Sequence, residues 1–461
     1  SLVRPRGSLP RAVARLTGLS DEDVSDAPHF PDIAPLFREV FEGRTLIAHN
    51  AAFERAFLTR QLGEAFAEAT YLDTLDLLAV THPDAPDLRL ESFTRMLFGK
   101  EEKHRALSDA LDTARVVSAA GEGARDGEPR FTTARAALER FDPDSPWLTL
   151  LGKEPPLAPA ARTPYIAIGD SVEAPVPFDE QAIAAALSDE ARGRRHFPGY
   201  RVRETQAELA RRVARNLSDE EVLLLQGGTG VGKSLAYLAA AIPFAIQREQ
   251  GGEHRPLVIS TRTKLLQDQL LDKDIAAAAR FLGYPELRAL SIKGRANYAC
   301  ERRLGVVLAE GGAARIFPED RQAHAVLQAA VRIRRDGELG ALPAALLRRF
   351  PALRDLTRRS VAKRSEQCTR EQCASERNCP FGRKRAALAK AHLLIANHDL
   401  LLRWPPDYPA FEHVIADEVH ELADVADEVY ALTVSAELVD ERFEELFGRP
   451  APRSGRRGGG A

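Results

Sequence analysis

The sequence predicts an α/β protein built on parallel sheets, and three stretches carry that expectation. Val222-Leu223-Leu224-Leu225 has the length and flanks of a buried strand and runs into Gly227-x-x-x-x-Gly232-Lys233-Ser234. A helical stretch follows, Leu235 to Ile242, which Pro243 should stop. Leu257-Val258-Ile259-Ser260-Thr261 reads as a second buried strand, and His413-Val414-Ile415-Ala416 as a third that ends on Asp417-Glu418. Near the N-terminus, Thr45 to Asn50 reads as a short strand and Ala51-Ala52-Phe53-Glu54 opens a helix that runs to Gly63. Strands alternating with helices in this way build parallel sheets.

The glycine-rich stretch has a specific chemistry. Glycines such as Gly227, Gly230 and Gly232 let backbone N–H groups converge on phosphate oxygens, and the helix N-terminus adds partial positive charge. Lys233 would then reach the β- and γ-phosphates of a nucleoside triphosphate, ATP in the simplest case, and the Ser234 hydroxyl would ligate Mg²⁺. In a parallel sheet the carboxyl end of the 413–416 strand falls beside this loop. There Asp417 would hold the Mg²⁺ through water and Glu418 would polarise the water that attacks the γ-phosphate.

Composition bounds the rest. A chain of 461 residues should hold about three domains. With 64 Lys+Arg against 67 Asp+Glu, any nucleic-acid contact must use a local basic face. No apolar run approaches the roughly 20 residues of a membrane span, so no membrane partner and a cytoplasmic address are expected. Residue 1 is Ser and the chain closes on Arg456-Arg457-Gly458-Gly459-Gly460, which suggests a fragment or an unusual gene boundary.

The expected division follows in chain order: a first domain over 1–120, a linker over 121–195 and a nucleotide-binding domain over 196–299. A cysteine-bearing insertion over 300–390, the second part of the nucleotide-binding domain over 391–435, and a further insertion with a Gly/Arg-rich tail over 436–461 complete it. Gly121 to Glu128 suits a loop, Thr132 to Phe141 a short helix, Asp142 to Pro164 an extended connector, and Phe178 to Arg192 a helix. All four cysteines, Cys300, Cys368, Cys373 and Cys379, fall between the glycine loop and Asp417. Four thiolates hold either a structural Zn²⁺ or a [4Fe–4S] cluster. The C-x4-C-x5-C spacing lacks the tight pairs usual for zinc. Between Cys300 and Cys368 lie Arg348-Arg349, Arg354, Arg358-Arg359 and Lys363-Arg364, read either as a solvated helix face or as a phosphate-contacting surface.

Two family resemblances sharpen this reading. His49-Asn50-Ala51-Ala52-Phe53-Glu54 and His104-Arg105-Ala106-Leu107-Ser108-Asp109 resemble the second and third motifs of DnaQ-type DEDDh exonucleases, and Leu16 to Leu19 and Asp73-Thr74-Leu75 fall where that family has similar segments. The resemblance implies an RNase H-like domain in which Glu54 and Asp109 help hold Mg²⁺ or Mn²⁺ and His104 is the general base. Glu54 stands where the family has Asp, and no Asp-x-Glu precedes Leu16, so the domain reads as partial and its nuclease activity is expected to be absent from this chain.

From Arg203 onward the chain resembles DinG-type helicases, bacterial relatives of the XPD superfamily 2 helicases. The residues are Arg203 and Gln206, the glycine loop, Ser260-Thr261-Arg262-Thr263 with Leu266 to Leu270, Lys293-Gly294-Arg295, Ala396-Asn397-His398, and Asp417-Glu418-Val419-His420. Gln226-Gly227-Gly228 and Val419 depart from the usual Glu-Ala and Ala. The resemblance implies a RecA-like domain in which Arg203 and Gln206 contact adenine and His420 couples the nucleotide site to the motor. It further implies an inserted helical domain with a [4Fe–4S] cluster, and ATP-driven 5′→3′ movement on single-stranded or forked DNA. The second motor domain is not in the sequence, so slow hydrolysis is expected. A 3′→5′ exonuclease with a regulatory ATPase and DNA-binding half, or a non-catalytic binding fragment, are the competing readings.

Overall fold

The computed structural model describes residues 2–99, 106–152, 163–228, 230–252, 255–310, 318–334, 337–340, 342–362, 368, 379–432 and 434–447. They form a mixed α/β structure with two parallel sheets. The chain makes two compact units, one from residues 1–164 and 294–387, the other from 165–293 and 388–461.

In the first unit, strands β1 (Leu46–Ala48) and β2 (Tyr71–Asp73) pair in parallel, with Ala48 opposite Asp73. Parallel neighbours need a crossover, and the helix Ala51–Leu62 supplies it. Asn50 enters that helix with a left-handed φ of 68°. The next helix, Thr74–Thr81, is apolar nearly all round and buried from Leu77 to Thr81. Such a helix must be covered on every side. The cover comes from Pro129–Phe141 and, far along the chain, Pro318–Ile333. Leu77, Phe93, Phe131 and Leu138 therefore share one hydrophobic cluster with Val326, Leu346 and Leu353.

The Gly121–Glu128 stretch, expected as a loop, is helical through Arg125, as the end of Ala106–Arg125. Its glycines serve close packing: a Cβ at Gly123 would lie 2.3 Å from the Phe131 ring. Glycine is tolerated inside a helix when a neighbour needs the space. Within the stretch expected as an extended connector, Trp147–Leu150 forms a helical turn with Trp147 buried, and residues 153–162 lie outside the described residues.

In the second unit four parallel strands stand in the order β4–β5–β3–β6, with β3 at Leu257–Thr261, β4 at Ala289–Ser291, β5 at Leu393–Asn397 and β6 at Val414–Ala416. Every residue of β3 is buried, as suits a central strand of three apolar residues followed by Ser260 and Thr261. The chain leaves this unit after β4 and returns before β5, so two strands adjacent in the sheet bracket the whole excursion.

Two local expectations fail here. The helix that Pro243 was expected to stop runs from Lys233 to Gln250 with Pro243 inside it. A proline interior to a helix costs about 3 kcal/mol, but Ala236 to Ile246 are all buried, and that packing outweighs the lost bond. Val222–Leu225, expected as a buried strand, has no strand assignment, and Val222 and Leu224 are 93% and 81% exposed. A strand exists only through a neighbour's hydrogen bonds, and none of the strand pairings in the described sheet reaches these residues. No helix among the described residues is long and apolar enough to cross a membrane.

Candidate functional site

The helix Lys233–Gln250 begins directly after Gly232, whose φ of 81° is left-handed. A Cβ there would lie 2.0 Å from Gln206 Nε2, so both backbone angle and space demand glycine. Gln206 is buried and donates to the Gly232 carbonyl at 2.9 Å, while Arg203 Nη1 lies beside the same glycine. Gly230 is also left-handed, with φ 80°, and Thr229 lies outside the described residues. The two residues read as an adenine contact thus brace the end of the loop.

The loop and the acidic pair meet, as the parallel sheet requires. Lys233 Nζ stands 3.3 Å from Glu418 Oε1. One turn further along the same helix, the Tyr237 hydroxyl donates to Asp417 Oδ2 at 3.2 Å and also bonds Ser234. Tyr237 therefore stands between the two side chains expected to hold Mg²⁺. Burial, and then the negative charge of Asp417, push its hydroxyl well above the ordinary tyrosine range, so it stays a proton donor. Asp417 N continues the β6–β3 pairing by donating to the Ser260 carbonyl at 2.8 Å.

Glu418 takes a left-handed φ of 57°, and its N–H donates to Asp417 Oδ1 at 3.1 Å. Strain of this kind persists where surrounding structure enforces it, and it clusters at functional sites. His420 is 71% exposed with Nδ1 3.5 Å from Glu418 Oε2. Arg262 Nε reaches Glu421 Oε2 at 2.7 Å, which ties the end of β3 to the turn after β6. His398 is buried with Nδ1 2.7 Å from Ser260 Oγ, and burial lowers its pKa.

The second candidate site lies in the first unit. Asp73, at the end of β2, accepts the Asn50 and Leu75 amides on Oδ1 at 3.0 and 2.9 Å. His49 Nδ1 lies 2.9 Å from Thr74 Oγ1, and burial holds its ring below the ordinary histidine range. Glu54 sits in the first turn of Ala51–Leu62. Its Oε2 is buried with no hydrogen-bond partner, and burial raises its pKa. An orphaned carboxylate oxygen fits a cation contact. Asp109 lies in the first turn of Ala106–Arg125. His104 lies outside the described residues, and among those described no group of three or more His, Cys, Asp or Glu residues gathers to hold a metal ion.

Comparisons with known proteins show what each half of the chain is similar to. The RNase_T exonuclease family matches residues 1–117. A relative named 3′-5′ exonuclease DinG, from Bacillus subtilis, is 26% identical over 67% of this chain and 34% of its own length. ATP-dependent DNA helicase YoaA of Haemophilus influenzae is 28% identical over 56% of the chain and 39% of the relative. ATP-dependent DNA helicase DinG of Salmonella choleraesuis is 32% identical over 52% and 34%. The findings support a resemblance to the DinG-type family. The chain spans about a third of the length of these curated relatives.

Cys300, Cys368 and Cys379 are half-buried and form no disulfide among the described residues, and Cys373 lies outside those residues. Cys300 N donates to the Ser360 carbonyl at 2.8 Å, and Cys379 Sγ accepts the Gly382 amide at 3.3 Å. The described cysteines form no group of three with one another or with His, Asp or Glu. Sequence reasoning missed Tyr237 as a residue of the candidate nucleotide site. Its place four residues after Lys233, on the same helix face, was the available signal. Among the arginines read as a phosphate-contacting surface, Arg358 and Arg359 pair with Asp355, and Arg349 pairs with carboxylates of the nuclease-like module.

Proposed function

We propose that this chain is the N-terminal portion of an ATP-dependent DNA helicase that moves 5′→3′ along single-stranded DNA, acting in the cytoplasm. The observation that carries it is the meeting of Lys233 with Glu418 and of Tyr237 with Asp417 across the two motifs. Lys233 would release Glu418 to bind the β- and γ-phosphates, and the freed Glu418 would orient the attacking water. Ser234 and Asp417 would hold Mg²⁺, which when bound neutralises charge developing on the phosphate oxygens. The proposed domains are those of the sequence reading: a nuclease-like module over 1–120, RecA-like parts over 196–299 and 391–435, and the cysteine-bearing insertion over 300–390. The test uses the full-length protein with forked DNA. Unwinding that needs ATP and a 5′ single-stranded tail is expected; unwinding from a 3′ tail alone would reverse the polarity reading.

Cys300, Cys368, Cys373 and Cys379 are proposed as the ligands of one [4Fe–4S] cluster. Anaerobically purified protein should carry iron and acid-labile sulfide in equal amounts, and a Cys300→Ser change should lose both. Stoichiometric zinc without sulfide would overturn the assignment.

A second reading, a 3′→5′ exonuclease with a regulatory ATPase half, is favoured by the orphaned buried oxygen of Glu54. Mn²⁺-dependent shortening of 5′-labelled single-stranded DNA from its 3′ end would support it.

A further inference from the structure

One arginine of the inserted helices reaches into the nuclease-like module. Arg349 ends the helix Ala344–Arg349 and is 276 residues from Asp73 in sequence. Its Nη2 donates to Asp73 Oδ2 at 3.0 Å and to Asp76 Oδ1 at 2.8 Å, while Nε donates to Asp76 Oδ1 at 3.0 Å. The pair is desolvated: the Asp73 side chain is 6% exposed and that of Asp76 23%. The other oxygen of Asp73 takes the Asn50 and Leu75 amides. Three donors thus fix one carboxylate, and the Asn50 amide among them belongs to the left-handed residue that launches the helix bearing Glu54.

We propose that Arg349 is a positioning residue for the His49–Glu54 loop, holding the Asp73 carboxylate in the orientation that clamps the Asn50 and Leu75 amides. Without the guanidinium, Asp73 Oδ2 is left buried beside Asp76. Two like charges in a desolvated place repel. The Asp73 carboxylate then turns, and the strained Asn50 loses the bond that holds it. The helices carrying Arg349 follow Cys300, whose amide is bonded to Ser360 at the end of the neighbouring helix Ala352–Arg359. The cysteine-bearing segment therefore contributes directly to the geometry of the nuclease-like loop. The proposal rests on the nuclease reading only for the purpose of that loop.

The test is amide hydrogen exchange on the whole chain. In Arg349→Met, exchange over residues 46–54 and 73–76 should rise by about tenfold, as the loss of one hydrogen bond implies, with residues 131–138 unchanged. Arg349→Lys, which keeps the charge but not the fork, should fall between. Asp76→Asn, which leaves the Arg349–Asp73 bond in place, should stay near the parent. Unchanged exchange at 46–54 in Arg349→Met overturns the proposal. So does a uniform rise across the module in both Arg349 variants, which would mean ordinary structural support. Degradation of DNA with Mn²⁺ is scored separately. Its absence in the parent protein would count against the nuclease reading, while the exchange pattern alone decides the role of Arg349.

Discussion

Replacing Lys233 with alanine is expected to weaken ATP binding by about 10²-fold. A hydrogen bond to a charged group contributes about 1.5–3 kcal/mol, and the lysine should make such bonds to phosphate oxygens. The structure adds a second loss. Glu418 Oε1 lies 3.3 Å from Lys233 Nζ, so the ammonium also neutralises a carboxylate at the place where phosphates must arrive. Without Lys233, ATP meets an uncompensated Glu418 charge as well as a missing donor. The fold should survive, because both partners are more than a third exposed, at 36% and 38%, and an ion pair this wet contributes little to stability. Titration of a fluorescent ATP analogue, with a thermal melt as control, checks it. Unchanged affinity with an unchanged melt would remove Lys233 from the phosphate site.

Glu418→Gln should separate binding from chemistry. Hydrolysis is expected to fall by about 10²–10⁴-fold, the usual range for losing a positioned general base. ATP affinity should hold or rise, because the amide carries no charge and competes less well for Lys233. The left-handed backbone of Glu418 and its bond to Asp417 Oδ1 persist in the variant, since the main chain makes both. A single-turnover phosphate-release assay together with equilibrium binding measures the split. Equal loss of binding and rate would show that Glu418 organises the loop and does not serve the attacking water.

Local features of this chain were legible in the residues. Strand β3 was, because five consecutive apolar or small residues flanked by turns suit burial on both faces. So was the helix Ala51–Leu62, closed by Gly63 at φ 106°. The Gly232-Lys233-Ser234 turn was readable because only glycine takes the required backbone angle without strain. Asp417-Glu418 could be placed beside Lys233 because a parallel sheet brings its carboxyl ends to one edge. Each of these depends on side chains within a few residues or on a general rule of topology.

The tertiary structure decided the rest. Val222–Leu225 has the composition of a strand but no ladder partner among the described pairings, and periodicity carries no information about partners. Pro243 stays helical because its neighbours are buried, and Gly123 is a packing contact because Phe131 folds onto it. Arg349 had looked like one basic residue in a run. Its commitment to Asp73 and Asp76 comes from the common core that the Pro318–Ile333 helix shares with Thr74–Thr81 and Pro129–Phe141. A guanidinium binds whichever carboxylates packing brings within about 3 Å of it, and across 276 residues only the folded chain sets that distance.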